Sequence, residues 1–341
     1  MSKKDTHQRR NFVKTLGLTT AAIGAAPYIL KGKPFSQTPA GKRVGIIGLD
    51  TSHSIAFTKA MNQENHPELL GYKVTAAYPH GSKDIESSVK RIPGYIEDIQ
   101  PMGVEIVDSI DQLLQQVDVV LLETNDGRRH LEQVIPVLES GKRVFVDKPV
   151  AASMKDAVEI YNTAEKFGIP IFSASSLRYI KGADAIQKGK IGKVLGATTW
   201  SPATIEKTHP DMYWYGIHGV EALFTVMGTG CQEVYRVHTE GADVITGIWE
   251  DGRMGIFRGQ RAGKPTYGGY VYGEKSNMDL GPYQGYLPLL VDIAQYFETG
   301  QTPVTPEETL EIFAFMSAAD ESKKKKGKSV SIKKILKKAG A

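Results

Sequence analysis

One cysteine, Cys231, occurs among 341 residues, so no intrachain disulfide can form and stability must come from packed cores. No base accompanies it in sequence, and it reads as a packing residue. Long apolar runs are also missing. The most lipid-like stretch, Thr15 to Ile29, is too short and too weakly apolar for a stable membrane anchor. Charge of one sign is scarce: the net charge is +4, much of it in the first dozen residues and in Lys323 to Lys326. Basic residues are nowhere interleaved with stacking aromatics, which argues against a nucleic-acid partner. A complete G-x-G-x-x-G is absent too, and so is a set of metal-ligating residues at recognisable spacing; no metal is expected.

What is present suits two domains, each long enough to bury its own core. Arg9-Arg10-Asn11-Phe12-Val13-Lys14 and the weakly apolar stretch after it form a twin-arginine pattern, so residues 1–30 read as an export signal. The expected location is therefore periplasmic or otherwise exported, with the twin-arginine machinery as a partner. Residues 31–41 are a polar, Gly/Pro-containing linker. From residue 42 to 175, apolar runs at Arg43–Gly48, Tyr72–Tyr78, Val104–Val107, Val117–Leu122, Arg143–Val146 and Ile169–Phe172 alternate with helical segments. This β-α-β order with short loops predicts an α/β fold with a doubly wound parallel sheet of the Rossmann kind. Residues 176–335 change texture, and strand-like runs separated by turns such as Glu250-Asp251-Gly252 predict an α+β domain with a largely antiparallel sheet. The pattern assigns no element to residues 84–103.

The stretch Val144 to Pro149, VFVDKP, delivers Lys148 at the carboxyl end of a buried parallel strand, where α/β sheets bind ligands. It is the leading catalytic candidate. At the first turn only Gly48 of the dinucleotide fingerprint survives, the later glycine positions being Asp50 and His53. Asp50, Thr51 or Ser52 either caps the next helix or, with His53, lines an altered pocket. No acid stands at the end of the second strand to hold a ribose hydroxyl. Ser82 and Lys83 there either meet a 2′-phosphate, favouring NADP, or form a surface loop. Asn125 and Asp126 follow the fourth strand, with Arg128 or Arg129 available to an anion or Asp126 capping a helix.

The VFVDKPVA run, Ser176-Leu-Arg178-Tyr179, Gly189-Lys-Ile-Gly-Lys-Val194 and Gly216-Ile-His218-Gly-Val-Glu221, in this order, resemble the glucose-fructose oxidoreductase / inositol dehydrogenase (Gfo/Idh/MocA) family over about Arg43 to Ile332. The resemblance implies bound NAD or NADP, Lys148 beside the nicotinamide and the reacting hydroxyl, and His218 as general base or acid. It also implies an open-faced sheet in the second domain and a homo-oligomer. Cofactor contacts are expected from Gly48, Asp50, Thr51, Ser52, His53, Ser82, Asn125, Asp126 and Lys148. Substrate contacts are expected from Arg178, Tyr179, Trp214, Tyr215 and His218, with aromatic Trp214 and Tyr215 suited to stacking on a sugar ring. Glu221 shares a helix face with His218 and could orient it. The aspartate that many relatives place four residues before the histidine is Trp214 here, and Asp211 is the acid nearest to replace it. The expected function is an exported NAD(P)-dependent oxidoreductase acting on a sugar or sugar derivative, with tightly held cofactor and room for a redox-neutral glycoside cleavage. The alternative is a sugar-binding or scaffold protein that has kept the fold without the cofactor.

Overall fold

Strand β1 (Arg43–Ile47) is buried from Val44 onward, as a strand covered on both faces must be. In the computed structural model, which describes residues 41–341, it is the central strand of a five-stranded parallel sheet with β2 (Lys73–Tyr78), β3 (Glu105–Ile106), β4 (Val119–Leu122) and β5 (Val144–Val146), in the order β3-β2-β1-β4-β5. The expected signal segment and nearly all of the expected linker lie outside the described residues. Helices α1 (Ser52–Asn62), α2 (Glu86–Ile99), α3 (Ile110–Gln116), α4 (His130–Glu139) and α5 (Met154–Phe167) connect and flank the strands. Ser109 and Ser153 cap α3 and α5 by accepting from Gln112 and Asp156 N–H, and Gly168 ends α5 at φ 67°. The strand expected at Ile169–Phe172 is a single parallel bridge from Phe145 to Phe172, because Pro170 has no N–H to donate.

The second half holds α6 (Ala183–Gln187), α7 (Ile217–Met227), α8 (Leu287–Thr299), α9 (Pro306–Lys324) and α10 (Ile332–Ala339), with a seven-stranded sheet. Its strands are β6 (Val194–Pro202), β7 (Cys231–His238), β8 (Ala242–Trp249), β9 (Met254–Gln260), β10 (Gly268–Gly273), β11 (Asn277–Asp279) and β12 (Val330–Ser331), in the order β11-β10-β6-β9-β8-β7-β12. The sheet is mixed: β8 and β9 form the antiparallel hairpin, but β6 and β9 pair in parallel. Alternation is clean on β8, where Asp243, Ile245, Gly247 and Trp249 are buried while their neighbours are partly exposed.

Helices α7 and α9 cover the inner face of this sheet. An added Cβ at Gly219 would lie 2.2 Å from the Phe257 ring, and one at Gly247 2.8 Å from Phe315. Arg236, 1% exposed, reaches from β7 to Asp243 (2.8 Å), Asp320 on α9 (2.5 Å) and Asp211 (2.7 Å), so a buried charge network pins the helix to the sheet. Removing one partner from such a network typically costs about 3–5 kcal/mol. Helix α8 packs elsewhere: Leu289, Leu290, Ile293 and Phe297 join the core of β1 and β2. The two sheets are thereby tied together with the carboxyl ends of β1, β4 and β5 facing the start of α7.

Candidate active site

The β5 strand ends in Asp147 and Lys148, followed by a cis peptide to Pro149. Lys148 Nζ lies 3.3 Å from Asp147 Oδ2 and its side chain is 10% exposed. Burial works against its charge, but Asp147 and Glu123 outweigh it and raise the lysine pKa, so the ammonium persists at neutral pH. Asp147 is itself fully buried. Burial opposes its ionisation too, and His53 with Lys148 keeps it an anion.

His218 enters from the first turn of α7, and its Nδ1 lies 2.7 Å from Ser175 Oγ. Burial, reinforced by the Lys148 charge, lowers its pKa well below the ordinary range, leaving a neutral imidazole. Glu221 does not touch the ring. Its carboxylate accepts from Ser175 N–H (2.9 Å) and Arg178 Nε (3.0 Å), so it orients His218 only through Ser175.

Lys148 and His218 line one cleft of about 330 Å3, together with Thr51, Ser52, His53, Ser87, Arg91, Asn125, Trp214, Tyr215, Tyr267, Tyr283 and Tyr286. That volume is at the small end of ligand pockets. Tyr215 Oη is 3.1 Å from Tyr267 Oη, and its ring meets His218 edge-on at 4.9 Å. The result is an aromatic wall facing an ammonium and two imidazoles, which suits a polyol whose C–H face stacks while its hydroxyls reach polar groups.

The remaining expected site residues fall elsewhere. Gly48, at φ 93°, lets β1 approach β4 so closely that a Cβ would lie 2.6 Å from the Thr124 backbone. Asp50 is fully buried and turned away from the cleft, accepting backbone N–H from Ser82 (3.2 Å) and Asn125 (2.9 Å). Ser82 is buried and accepts from Ile85 N–H, a loop staple rather than a cleft residue. Asp126 pairs with Arg128 (2.7 Å) and His209 (3.3 Å), and Arg129 pairs with Glu132, so none of these three is on the cleft wall. Arg178 and Tyr179, expected at the substrate, instead tie the structure together: Arg178 joins Glu221 to Glu308, and Tyr179 donates to Asp292 (2.6 Å). Asp211 is held by Arg236 and Lys323 and cannot replace the missing acid-base aspartate. Cys231 is buried with its thiol pKa pushed up by burial, as a packing residue.

Several cleft residues were not legible as such. Ser87 and Arg91 come from α2, where Val89, Ile92, Ile96 and Ile99 carry a helical spacing that Pro93 interrupts. Tyr267 immediately precedes β10, and Tyr283 and Tyr286 lie in a loop with no periodic signal. Glu123, at the end of β4, is fully buried with both carboxylate oxygens lacking a hydrogen-bond partner. Burial and the Asp147 charge raise its pKa to about 7. His53, Glu123 and Asp147 bring their ligand atoms within 4.8 Å of one another, the one such set among the described residues. Lys148 supplies a positive charge beside this set.

The crevice also accommodates the phosphate and ribose character of a nicotinamide nucleotide. Asp50 turns its carboxylate onto two backbone amides, the start of α1 offers its cap Thr51 and Ser52, Arg91 adds a cation and Asn125 an amide. Comparisons with known proteins agree with the fold. Residues 42–174 match GFO_IDH_MocA, described as an oxidoreductase family with an NAD-binding Rossmann fold. Inositol 2-dehydrogenase 3 of Saccharopolyspora erythraea is 28% identical over 162 residues, 46% of this chain and 43% of that one. A 2,7-anhydro-N-acetylneuraminate hydratase of Mediterraneibacter gnavus is 28% identical over 156 residues, 40% of each. The chain thus spans less than half the length of both relatives. Scyllo-inositol dehydrogenase of Lactobacillus casei, crystallised with NAD(H) and scyllo-inositol, superposes with a TM-score of 0.67 at 15% identity, covering 85% of this chain and 99% of that one, a likeness of fold. Residues 42–174 therefore carry the NAD-binding Rossmann fold of the GFO_IDH_MocA oxidoreductase family.

Proposed function

We propose that this protein is an exported NAD(P)-dependent oxidoreductase that acts on a sugar or cyclic polyol. The observation that carries the reading is the meeting of Lys148 from the first domain with His218 from the second in one aromatic-walled cleft at the strand ends. A bound nicotinamide would supply the hydride acceptor. Thr51, Ser52, Arg91 and Asn125 would hold the nucleotide, and Lys148 would hold the substrate oxygen as negative charge grows on it. His218, neutral because it is buried beside Lys148, is in the form that accepts the carbinol proton. The twin-arginine pattern supports export, and the protein would then leave the cytoplasm folded, with its nucleotide already bound. The open face of the seven-stranded sheet supports assembly into a homo-oligomer.

Titrating the purified protein with NADH and NADPH by fluorescence, and assaying oxidation of myo-inositol, scyllo-inositol and D-glucose, tests the reading. Lys148→Ala is expected to lower kcat on the order of 10²–10³-fold. Unchanged turnover in that variant removes the catalytic assignment. A rival reading, a cofactor-free sugar-binding protein, draws on the buried Asp50 and His53 at the former glycine positions. Native mass spectrometry separates the two, because an oxidoreductase binds one nucleotide per chain and the rival binds none.

A further inference from the structure

The dehydrogenation chemistry leaves one imidazole of the cleft unused. His53 stands in the first turn of α1 and is 4% exposed, yet it lines the cleft beside Lys148. Its Nδ1 lies 3.1 Å from the Asp147 carboxylate. An ionised carboxylate only accepts, so Nδ1 carries the hydrogen and Nε2 is the nitrogen left to take or give a proton. Phe57 stacks on the ring with centroids 5.2 Å apart, and Tyr286 meets it edge-on at 4.8 Å, which sets the ring plane. Glu123 Oε2 is 3.7 Å from Nδ1 on the buried side. Asp147 thus orients His53 and Lys148 together, whereas the His218 ring is hydrogen-bonded to the Ser175 hydroxyl and flanked by Tyr215 and Tyr267, with no carboxylate on it.

Oxidising a single carbinol releases one proton and needs one base. A second imidazole, oriented by a carboxylate and facing the same small cleft, provides for a second proton transfer. Resting on the oxidoreductase reading above, we propose that His53, oriented by Asp147, is a second acid-base residue that removes and returns a proton on the carbon next to the substrate carbonyl.

In that step the C–H bond breaks and its proton passes to Nε2 of His53. The electron pair forms a C=C bond and displaces the carbonyl π pair onto oxygen, where the Lys148 ammonium holds the enolate. If the next carbon bears an alkoxy or hydroxyl group, the enolate collapses, that group departs with its bonding pair, and it takes the proton from Nε2. The sum is elimination of an alcohol or water, and addition of water is the reverse.

The surroundings agree with this division of labour. Burial lowers the His53 pKa and Lys148 does the same, but Asp147 and Glu123 outweigh them and raise it, whereas that of His218 is lowered. The two imidazoles therefore do not change protonation state together, and His53 is the more basic of the two. The third glycine position of a nucleotide loop thereby becomes a proton-transfer position.

The experiment is deuterium exchange into 2-keto-myo-inositol in D2O, followed by 1H NMR, with the full protein and its His53→Gln and Asp147→Asn variants. Glutamine can still donate to Asp147 but has no basic nitrogen. Asparagine keeps the imidazole but favours the tautomer with hydrogen on Nε2. Both variants are expected to slow exchange at the carbons flanking the ketone about 100-fold, with far-UV circular dichroism confirming folding. His218→Gln is expected to slow reduction of the ketone more than its exchange. Exchange at the wild-type rate in whichever of the two variants folds overturns the proposal, as does wild-type exchange no faster than in buffer. Wild-type NADH binding distinguishes the failures: absent binding overturns the oxidoreductase reading with it, whereas binding without exchange overturns only the role of His53.

Discussion

Glu123 concentrates the energetic tension of the site. Its carboxyl is wholly buried, lacks a hydrogen-bond partner and sits near the Asp147 anion, so its pKa rises from the ordinary 4.5 to about 7. Below pH 4.5 both folded and unfolded chains hold this proton. Between 4.5 and about 7 the unfolded chain ionises while the folded one does not, so stability is lost as pH rises through that window, and the loss is complete above it. Glu123→Gln does not titrate. Its melting temperature relative to wild type is expected to increase between pH 5 and pH 8, by a few degrees on the order-of-magnitude scale for a chain of this size. Thermal unfolding of the two proteins at both pH values checks this, and a difference independent of pH would show Glu123 to be ionised and compensated in the fold. At this scale the sequence pointed to Lys148 and His218 through VFVDKP and the His218 segment. It was silent on His53 with Asp147, because residues 94 positions apart become partners only when α1 and β5 meet at one sheet edge.

Among the elements, α7 does the most to shape the proposed site, since it carries His218 and is seated directly on β6 and β9. Thr199 Oγ1 donates to the Gly219 carbonyl at 2.8 Å, and at Gly219 the helix lies too close to the sheet for a side chain. Gly219→Ala would put a methyl group against Phe257 and Ser201 Oγ. We expect about 1–3 kcal/mol of destabilisation from overpacking, despite the helix propensity gained, and weaker catalysis as His218 shifts. Urea denaturation and kcat of the variant measure both effects. A stability equal to wild type would mean that the helix can lift without cost. Helix α8 carries an apolar face and α9 starts at the Thr305 cap with Pro306 in its first turn, both local properties of the sequence. Helix α2 was missed, and with it Arg91, since Pro93 interrupts the pattern while the helix lies over the loops of β1 and β4.

For the whole molecule, strand alternation leaves one face of the seven-stranded sheet without a covering layer among the described residues. Val237 is 67% exposed, Met254 58% and Tyr272 44%, on the side opposite α7 and α9. Apolar side chains spread over several strands of an uncovered sheet are the mark of an interface, and a second copy of the chain is the proposed occupant. Val237→Glu combined with Met254→Glu is expected to convert the oligomer to monomers in sedimentation velocity, with the fold intact. A wild-type monomer would remove the assembly from the functional reading. Sequence alone determined the alternation of strands and helices in the first half, the strand end that holds Lys148, and the exclusion of an intrachain disulfide, because these depend on short-range periodicity and composition. Tertiary structure alone decided that Asp50 faces inward to two backbone amides, that Arg178, Tyr179 and Asp211 serve internal ion pairs and hydrogen bonds, and that β6 runs parallel to β9. It also brought His53 and Asp147 to the VFVDKP lysine. Such pairings join segments far apart in the chain, and their energy exists only once burial has removed water from both partners.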